Sequence, residues 1–449
     1  MLAKKAIIIG AGISGLCLGA ILANHGINVD IYEKMSRVGG RTVSTIFKNH
    51  ILDNGFHIMP FYKKSSIYQV FNLLNIQDRL NLTRVTEISF YHKNKFHKYP
   101  KGLLDFLTFS LLPLKNRLEV LKLIFPMAFT SIKKTEKLDH IPISDLTSKL
   151  NKKSNSFFDA ICMLAFADVQ QHVSVGEFIR TIIKANPLRG GTSEFGYPAD
   201  GGYDTICKLL SQYITSFPES KIVLNESVNK ILVKDKKVKG IEKSKDSSTV
   251  MSDCVIISYP AYIAIHELLD DNIFDKNFIN KVNRLNKSTS IIESHFGLSK
   301  KIEKNRQIIF PISSDFTTKG IFFMSNISKS VSPKGEQLVL TGVPITREEA
   351  SSSNTISKIS KNMKKDICNI YPDFEEFLLW EKTMSWQLVE SVSKEPGIVW
   401  KQKMPHVVEN IKGLFFVGDS TVSYGIGTDS AAHSSLLCYP KILSFLKET

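Results

Sequence analysis

The 449-residue sequence predicts an α/β fold in which a parallel sheet with covering helices is interleaved with an α+β domain. Three observations carry that prediction. The apolar run Ala6 to Ile9 leads into a glycine-rich turn, Gly10-Ala11-Gly12-Ile13-Ser14-Gly15. A second strand-like stretch, Asn28 to Tyr32, follows and ends on Glu33. Near the other terminus stands a further glycine-and-acid signal, Gly413-Leu414-Phe415-Phe416-Val417-Gly418-Asp419. Signals at opposite ends imply a sheet assembled from distant segments.

The first unit has a mechanical reading. Glycines at 10, 12 and 15 let the chain turn tightly after a buried strand and approach a pyrophosphate, which then faces the amides of the following helix, Ile13 and Ser14 included. Glu33 at the end of the second strand, with Lys34 beside it, places a carboxylate where ribose hydroxyls can donate to it. Strand, helix, second strand and acid thus occur in the order of a Rossmann-like dinucleotide-binding unit. Directly afterwards comes Ser36-Arg37-Val38-Gly39-Gly40-Arg41-Thr42, which a simple nicotinamide-binding fold does not need.

The stretch from Glu33 through Gly39-Gly40-Arg41 resembles the double-glycine FAD oxidoreductases: amine oxidases, protoporphyrinogen oxidases, and phytoene desaturases with their carotenoid-isomerase and saturase relatives. The resemblance implies FAD, with the backbone of Gly39 and Gly40 and the Arg41 guanidinium at its diphosphate. It also implies that Gly418 and Asp419 meet the ribityl or diphosphate region. A helix beginning near Gly425 would then turn its amides, with Gly427 and Thr428, toward the flavin ring and favour negative charge there. Ile51-Leu52-Asp53-Asn54-Gly55-Phe56-His57 resembles the segment that passes beside the ring, which makes Gly55, Phe56 and His57 candidates, and the backbone around Val228 resembles the adenine-facing part of a second FAD segment.

Between these landmarks the pattern is interrupted. Residues 81–196 hold strand-like alternation from Val85 to Tyr99 and a long helical region from Leu103 to about Lys184. At Tyr197-Pro198-Ala199-Asp200-Gly201-Gly202-Tyr203 the chain returns to the cofactor unit, with a helix expected over Asp204 to Phe217. Strands are expected at Ile222 to Leu224, Val228 to Val233, Val238 to Glu242 and Val250 to Ser258. Residues 285–400 read as the second half of a substrate domain, with strands at Thr289 to Leu298, Gly320 to Met324 and Gln337 to Val343 and a helix over Ser353 to Ile370. The expected division is therefore an FAD-binding domain from 1–80, 197–284 and 401–449, and a substrate domain from 81–196 and 285–400.

Composition agrees with a folded chain: 43% of residues are hydrophobic and 22% charged. Six scattered cysteines without C-x-x-C spacing fit reduced thiols in the cytoplasm and indicate no metal. Glycines within Ala6 to Val29 argue against an export signal or spanning helix. The excess of 58 Lys and Arg over 43 Asp and Glu gives a net charge of +15. These cations are spread along the chain with no nucleic-acid-binding motif, so nucleic acid is not an expected partner.

Residues 103–132 are dense in Leu and Phe, but the uncharged run Phe106 to Leu114 is too short to span a bilayer of about 30 Å. Lys93, Lys95, Lys98 and Lys101 precede the region, and Lys133, Lys134 and Lys137 follow it. Two readings stand: peripheral contact with an anionic membrane on its inner face, or a helical lid on the substrate domain.

No nucleophile elbow or P-loop occurs, as suits a protein whose cofactor carries the chemistry. His57 is a candidate proton acceptor, although a structural histidine is the simpler reading of it and of His433, and no catalytic residue is assigned. The phytoene desaturase-like branch is favoured by the apolar 103–132 region and the segment order, which implies a long apolar, polyisoprenoid or carotenoid-like substrate for a desaturase, saturase or isomerase reaction. Protoporphyrinogen oxidase-like and amine oxidase-like enzymes are the alternatives, and a flavin-containing binding protein without turnover is one of another class. One departure bears on the choice: the proline-bearing sequence that usually follows the Gly-Asp pair in bacterial carotene desaturases is missing here.

Overall fold

The apolar stretches from both ends of the chain meet in one parallel sheet. The computed structural model describes residues 4–61, 65–186, 194–270 and 273–448. Strands Lys221–Val223, Asn28–Tyr32, Lys5–Ile9, Cys254–Ile257 and Leu414–Phe416 lie side by side in that order, and each adjoining pair is parallel. Alternate side chains serve two cores. Ala6, Ile8, Cys254 and Ile256 enter one, while Ile7, Ile9, Val255 and Ile257 enter the other. Because both faces are covered, these strands read as continuous apolar runs. Helix Ile13–Asn24 covers the first face with helices Thr205–Thr215 and Gly427–Glu448 packed against it.

A seven-stranded sheet is built from segments that lie in the chain between these strands. Its order is Leu378–Trp386, Ser290–Leu298, Gln337–Ile345, Gly320–Phe323, Ile308–Pro311, Ile88–His92 and Lys95–Lys98. All pairs are antiparallel except Ile308–Pro311 with Ile88–His92. One face sends Ile308, Phe322 and Leu340 into the core that also contains Ile8 and Leu16. The other packs Phe296, Ile321 and Val339 against Ile367 of helix Ser353–Ile370, whose bounds are those the sequence predicts.

One expectation is resolved in finer detail and one needs correction. The long helical region is six α-helices, Leu103–Leu107, Leu114–Ala128, Ile132–Thr135, Ile143–Thr147, Lys152–Phe166 and Val175–Ala185. Pro113 and Pro142 stand at the amino caps of two of them, and the side chains of Asn151 and Ser174 cap two more. Each of these residues favours a helix start over continuation of the helix before it. The single strand expected over Val250 to Ser258 is two: Thr249–Met251 pairs antiparallel with Lys237–Lys243, and Cys254–Ile257 enters the parallel sheet. Asp253 between them accepts a 2.7 Å hydrogen bond from Lys5 N, which fixes where the second strand begins.

No helix among the described residues is long and apolar enough to cross a membrane. The six cysteines are free thiols, five of them buried.

Candidate functional site

The site forms where the first strand of the parallel sheet gives way to a helix. Gly12 caps helix Ile13–Asn24 with no side-chain cap and no acidic residue in the first turn. Its first-turn amides, with the positive end of the helix dipole, therefore favour an anion. The glycines here have different duties. A Cβ on Gly15 would stand 2.2 Å from the Gly10 carbonyl oxygen, so the turn itself requires glycine at 15. A Cβ on Gly12 would meet nothing within 4 Å, and its φ of −71° suits any residue. The chain itself does not need glycine at 12, and the space beside it at the helix amino end has the character that suits a pyrophosphate.

The sequence motifs converge on this point. Glu33 Oε2 accepts from Ala11 N at 2.8 Å and Oε1 from Met35 N at 2.9 Å, which turns the buried carboxylate toward the glycine turn. Lys34 beside it is exposed. Gly39 N donates to Ala11 O at 2.8 Å, and Gly39 bridges Gly12 in parallel. Gly40 comes so near that a Cβ on it would lie 3.2 Å from the Gly12 Cα. From the opposite terminus, Gly418 lies where a Cβ would be 3.7 Å from Ser14 Oγ, and its amide donates to Ser434 Oγ at 2.9 Å. Val228 opens strand Val228–Lys234, two residues after Glu226, whose amide donates to Glu33 O at 2.9 Å.

Arg41 and Asp419, each expected to face the cofactor, are tied to each other. Arg41 Nη1 and Nη2 reach Asp419 Oδ2 and Oδ1 at 2.9 and 2.8 Å. Ser391 adds its amide at 2.8 Å and its hydroxyl at 2.7 Å. Burial alone would raise the Asp419 carboxyl, but the Arg41 guanidinium and the Ser391 donors outweigh it and hold it well below the usual carboxylate range. This fork joins residues 378 positions apart, and it clasps the two ends of the chain beside the glycine turn.

The remaining candidates continue the line. His57 Nε2 lies 2.9 Å from Asn54 O, and its ring stacks on Tyr203 at 4.9 Å. Burial pushes the imidazole down, against the pull of nearby Asp53. Tyr203 in turn meets Thr428 Oγ1 at 3.0 Å, in the first turn of helix Gly427–Glu448. Gly427 N donates to Glu390 Oε1. Phe56 packs on Phe322 at 4.7 Å, and Gly55 N donates to Glu293 Oε1 at 3.2 Å. His433 packs edge-on to Tyr424 at 4.2 Å and, among the groups around it, accepts from Tyr424 N at 3.3 Å, a structural setting.

Sequence reasoning passed over several residues of this site. Ser258, whose Oγ donates to Gly10 O at 2.7 Å, braces the turn from the neighbouring strand. Glu177 accepts from Gly425 N at 2.8 Å and from Arg180 Nε at 3.0 Å, and Arg180 reaches Asp139 at 2.6 Å, all fully buried. Lys184 pairs with Asp429 at 2.5 Å. Helix Val175–Ala185 thus anchors the C-terminal motif to the helical region. Lys403 lies in the same interior, where burial, with Lys394 adding to it, pushes its ammonium down to about 7. The one available signal, charges at helical spacing, ordinarily marks a solvated face, so no pattern singles these residues out.

Similarity to known proteins bears on the family and the fold. The family model described as flavin containing amine oxidoreductase matches residues 13–438. A 4,4'-diapophytoene desaturase (4,4'-diapolycopene-forming) from Methylomonas sp. is 22% identical over 395 residues, covering 77% of this chain and 74% of that protein. An oxidoreductase from Methanosarcina mazei superposes with a TM-score of 0.78 at 20% identity, over 97% of this chain and 99% of that one. Cyclohexylamine oxidase from Brevibacterium oxydans superposes with a TM-score of 0.71 at 12% identity, over 99% and 100% of the two chains.

Proposed function

We propose, from the premise that this chain belongs to the flavin containing amine oxidoreductase family and is an FAD-dependent oxidoreductase, that it transfers a hydride between flavin N5 and a long apolar molecule of the polyisoprenoid type. When bound, the flavin supplies a reversible two-electron exchange at N5. In this reading the diphosphate lies against the helix amino end at Gly12, Ile13, Ser14 and Gly15, with Gly10, Gly39, Gly40 and Arg41 around it. Glu33 accepts from the adenine-side ribose, with Lys34 and Val228 alongside. Gly418, Asp419, Gly427 and Thr428 border the ribityl chain and ring, and Gly55, Phe56 and His57 flank the ring on another side.

The observation that carries the substrate class is the character of the helical region that the Glu177 and Lys184 contacts join to this site. Its packed core is built from Phe106, Phe109, Phe157, Phe158 and Phe178 with aliphatic partners, against Phe90 of the seven-stranded sheet, and this apolar character supports a substrate with little to hydrogen-bond. The likeness to a desaturase named for an apolar polyene supports the same class. We further propose that the enzyme takes this molecule from an anionic membrane surface. Half of the exposed large hydrophobic side chains among the described residues, six of twelve, fall between Leu103 and Phe129. Lys93, Lys95, Lys115, Lys122, Lys133 and Lys134 are exposed around them.

Organic extraction of the purified protein followed by mass spectrometry tests the substrate class. A co-purifying polyisoprenoid that bleaches the flavin when returned anaerobically to extracted holoprotein is the expected result. A porphyrin, or an amine that bleaches it instead, would overturn the proposal.

A further inference from the structure

Glu293 is 0% exposed on strand Ser290–Leu298, which lies next to the edge strand Leu378–Trp386 of the seven-stranded sheet. Its surroundings contrast with those of other buried acids. Oε1 accepts from Trp386 Nε1 at 2.7 Å and from Gly55 N at 3.2 Å, two neutral donors. Oε2 is buried and has no hydrogen-bond partner among the described residues, as is the case for Asn54 Oδ1 in the segment it faces. No ion pair of Glu293 occurs among the described residues.

The titratable groups around it offer no compensating charge. Asp53 opposes its ionisation. His57 interacts with Asp53, and burial holds its imidazole toward the neutral form. His295, two residues on and so on the same face of the strand, is pushed down to about 3 by burial and by Lys382 of the neighbouring strand. Tyr197 donates to Asp53 at 2.6 Å rather than to Glu293. An ionised carboxylate without a cation in such a place is costly, whereas a carboxylic acid is not.

We propose that Glu293 is the proton-donating residue of this site: a neutral carboxylic acid, fixed through Oε1 by Trp386 and Gly55, whose Oε2 carries a proton for delivery at the Asp53–His57 segment. The proposal rests on the reading that flavin and substrate meet along that segment. In the step, the O–H bond at Oε2 breaks, the proton passes to a substrate carbon or a water at the site, and the electron pair stays on Oε2. The Trp386 and Gly55 N–H groups then stabilise the carboxylate. The reverse transfer restores the acid, so the same group serves either direction of reaction.

Infrared titration of the FAD-loaded protein tests this without a substrate. Burial pushes the Glu293 carboxyl up to about 8, so the spectrum of wild type minus Glu293→Gln should contain the C=O band of a protonated carboxyl at pH 7, halved near pH 8. Photoreduction of the bound flavin should change that band. Absence of the band at pH 7, or its persistence unchanged in Glu293→Gln, would overturn the proposal. If Glu293→Gln does not fold, Trp386→Phe decides: removing a donor that favours the carboxylate should raise the band's midpoint, and an unmoved midpoint contradicts the assignment. The titration runs equally on FAD-free protein. Failure of wild type to retain FAD would therefore break the cofactor assignment separately from this one.

Discussion

Asp419 and Glu293 are both buried carboxyls, and their surroundings favour opposite charge states. Asp419 accepts from both arms of Arg41 and twice from Ser391. Glu293 accepts from two neutral N–H groups and faces another acid. Burial raises both carboxyls; only at Asp419 do a cation and short donors reverse it. A permanent charge suits a clasp that must hold two chain ends together, while a removable proton suits chemistry.

Breaking this comparison at the clasp should cost both stability and flavin. Arg41→Ala leaves the Asp419 charge buried with only the Ser391 donors. Loss of a fully buried partner costs about 3–5 kcal/mol, but the Arg41 side chain is 38% exposed, so the discounted expectation is about 2 kcal/mol. Chemical denaturation measures it, and flavin retention should fall in parallel. An unchanged midpoint with full flavin would mean the fork carries little of the site.

Opposite pH dependences sharpen the contrast. The folded-state pKa of Asp419 is depressed, so its contribution is present above the unfolded value of about 3.9 and is lost as pH falls. Glu293 is raised from about 4.3 unfolded to about 8 folded. Between those values the folded state holds a proton that the unfolded chain has lost. Stability should therefore decline with rising pH across that window, by up to about 1.4 kcal/mol per pH unit from this group. Glu293→Gln should abolish this component in thermal melts taken from pH 5 to 8. A wild-type and variant difference that stays constant across the window would contradict the neutral acid.

The smallest effect on stability belongs to the surface remote from both carboxyls. Replacing exposed Leu104, Phe125 and Phe129 by Ser should alter unfolding by no more than about 0.5 kcal/mol for each site. Flotation with anionic liposomes should nevertheless drop severalfold. Equal flotation of the variant would favour the lid reading of 103–132.

How much of this was legible in the sequence follows the same contrast. The clasp side is local chemistry: glycines at fixed spacing, an acid ending a strand, and Gly418-Asp419 after an apolar run each announce themselves within a few residues. Even there, the pairing of Arg41 with Asp419 spans the whole chain and is visible only once the parallel sheet closes. Glu293 lies in Ser290–Leu298, a strand the sequence predicts, yet nothing in that stretch says that both its faces are covered or that no cation approaches. Buried charges such as Glu177, Arg180 and Lys403 look like ordinary surface residues until distant helices enclose them. The helical character of 103–185 is legible in its composition, and Pro113, Pro142, Asn151 and Ser174 mark where it divides.

The central claim, that both ends of the chain hold one FAD, is tested most directly at Gly12. A Cβ there meets nothing in the protein within 4 Å and the backbone φ of −71° suits any residue, so Gly12→Val should fold with a cooperative thermal transition like that of wild type while filling the space assigned to the pyrophosphate. FAD released by denaturation and counted per chain should be close to one for wild type and near zero for the variant. Full flavin in a folded Gly12→Val protein would contradict the account.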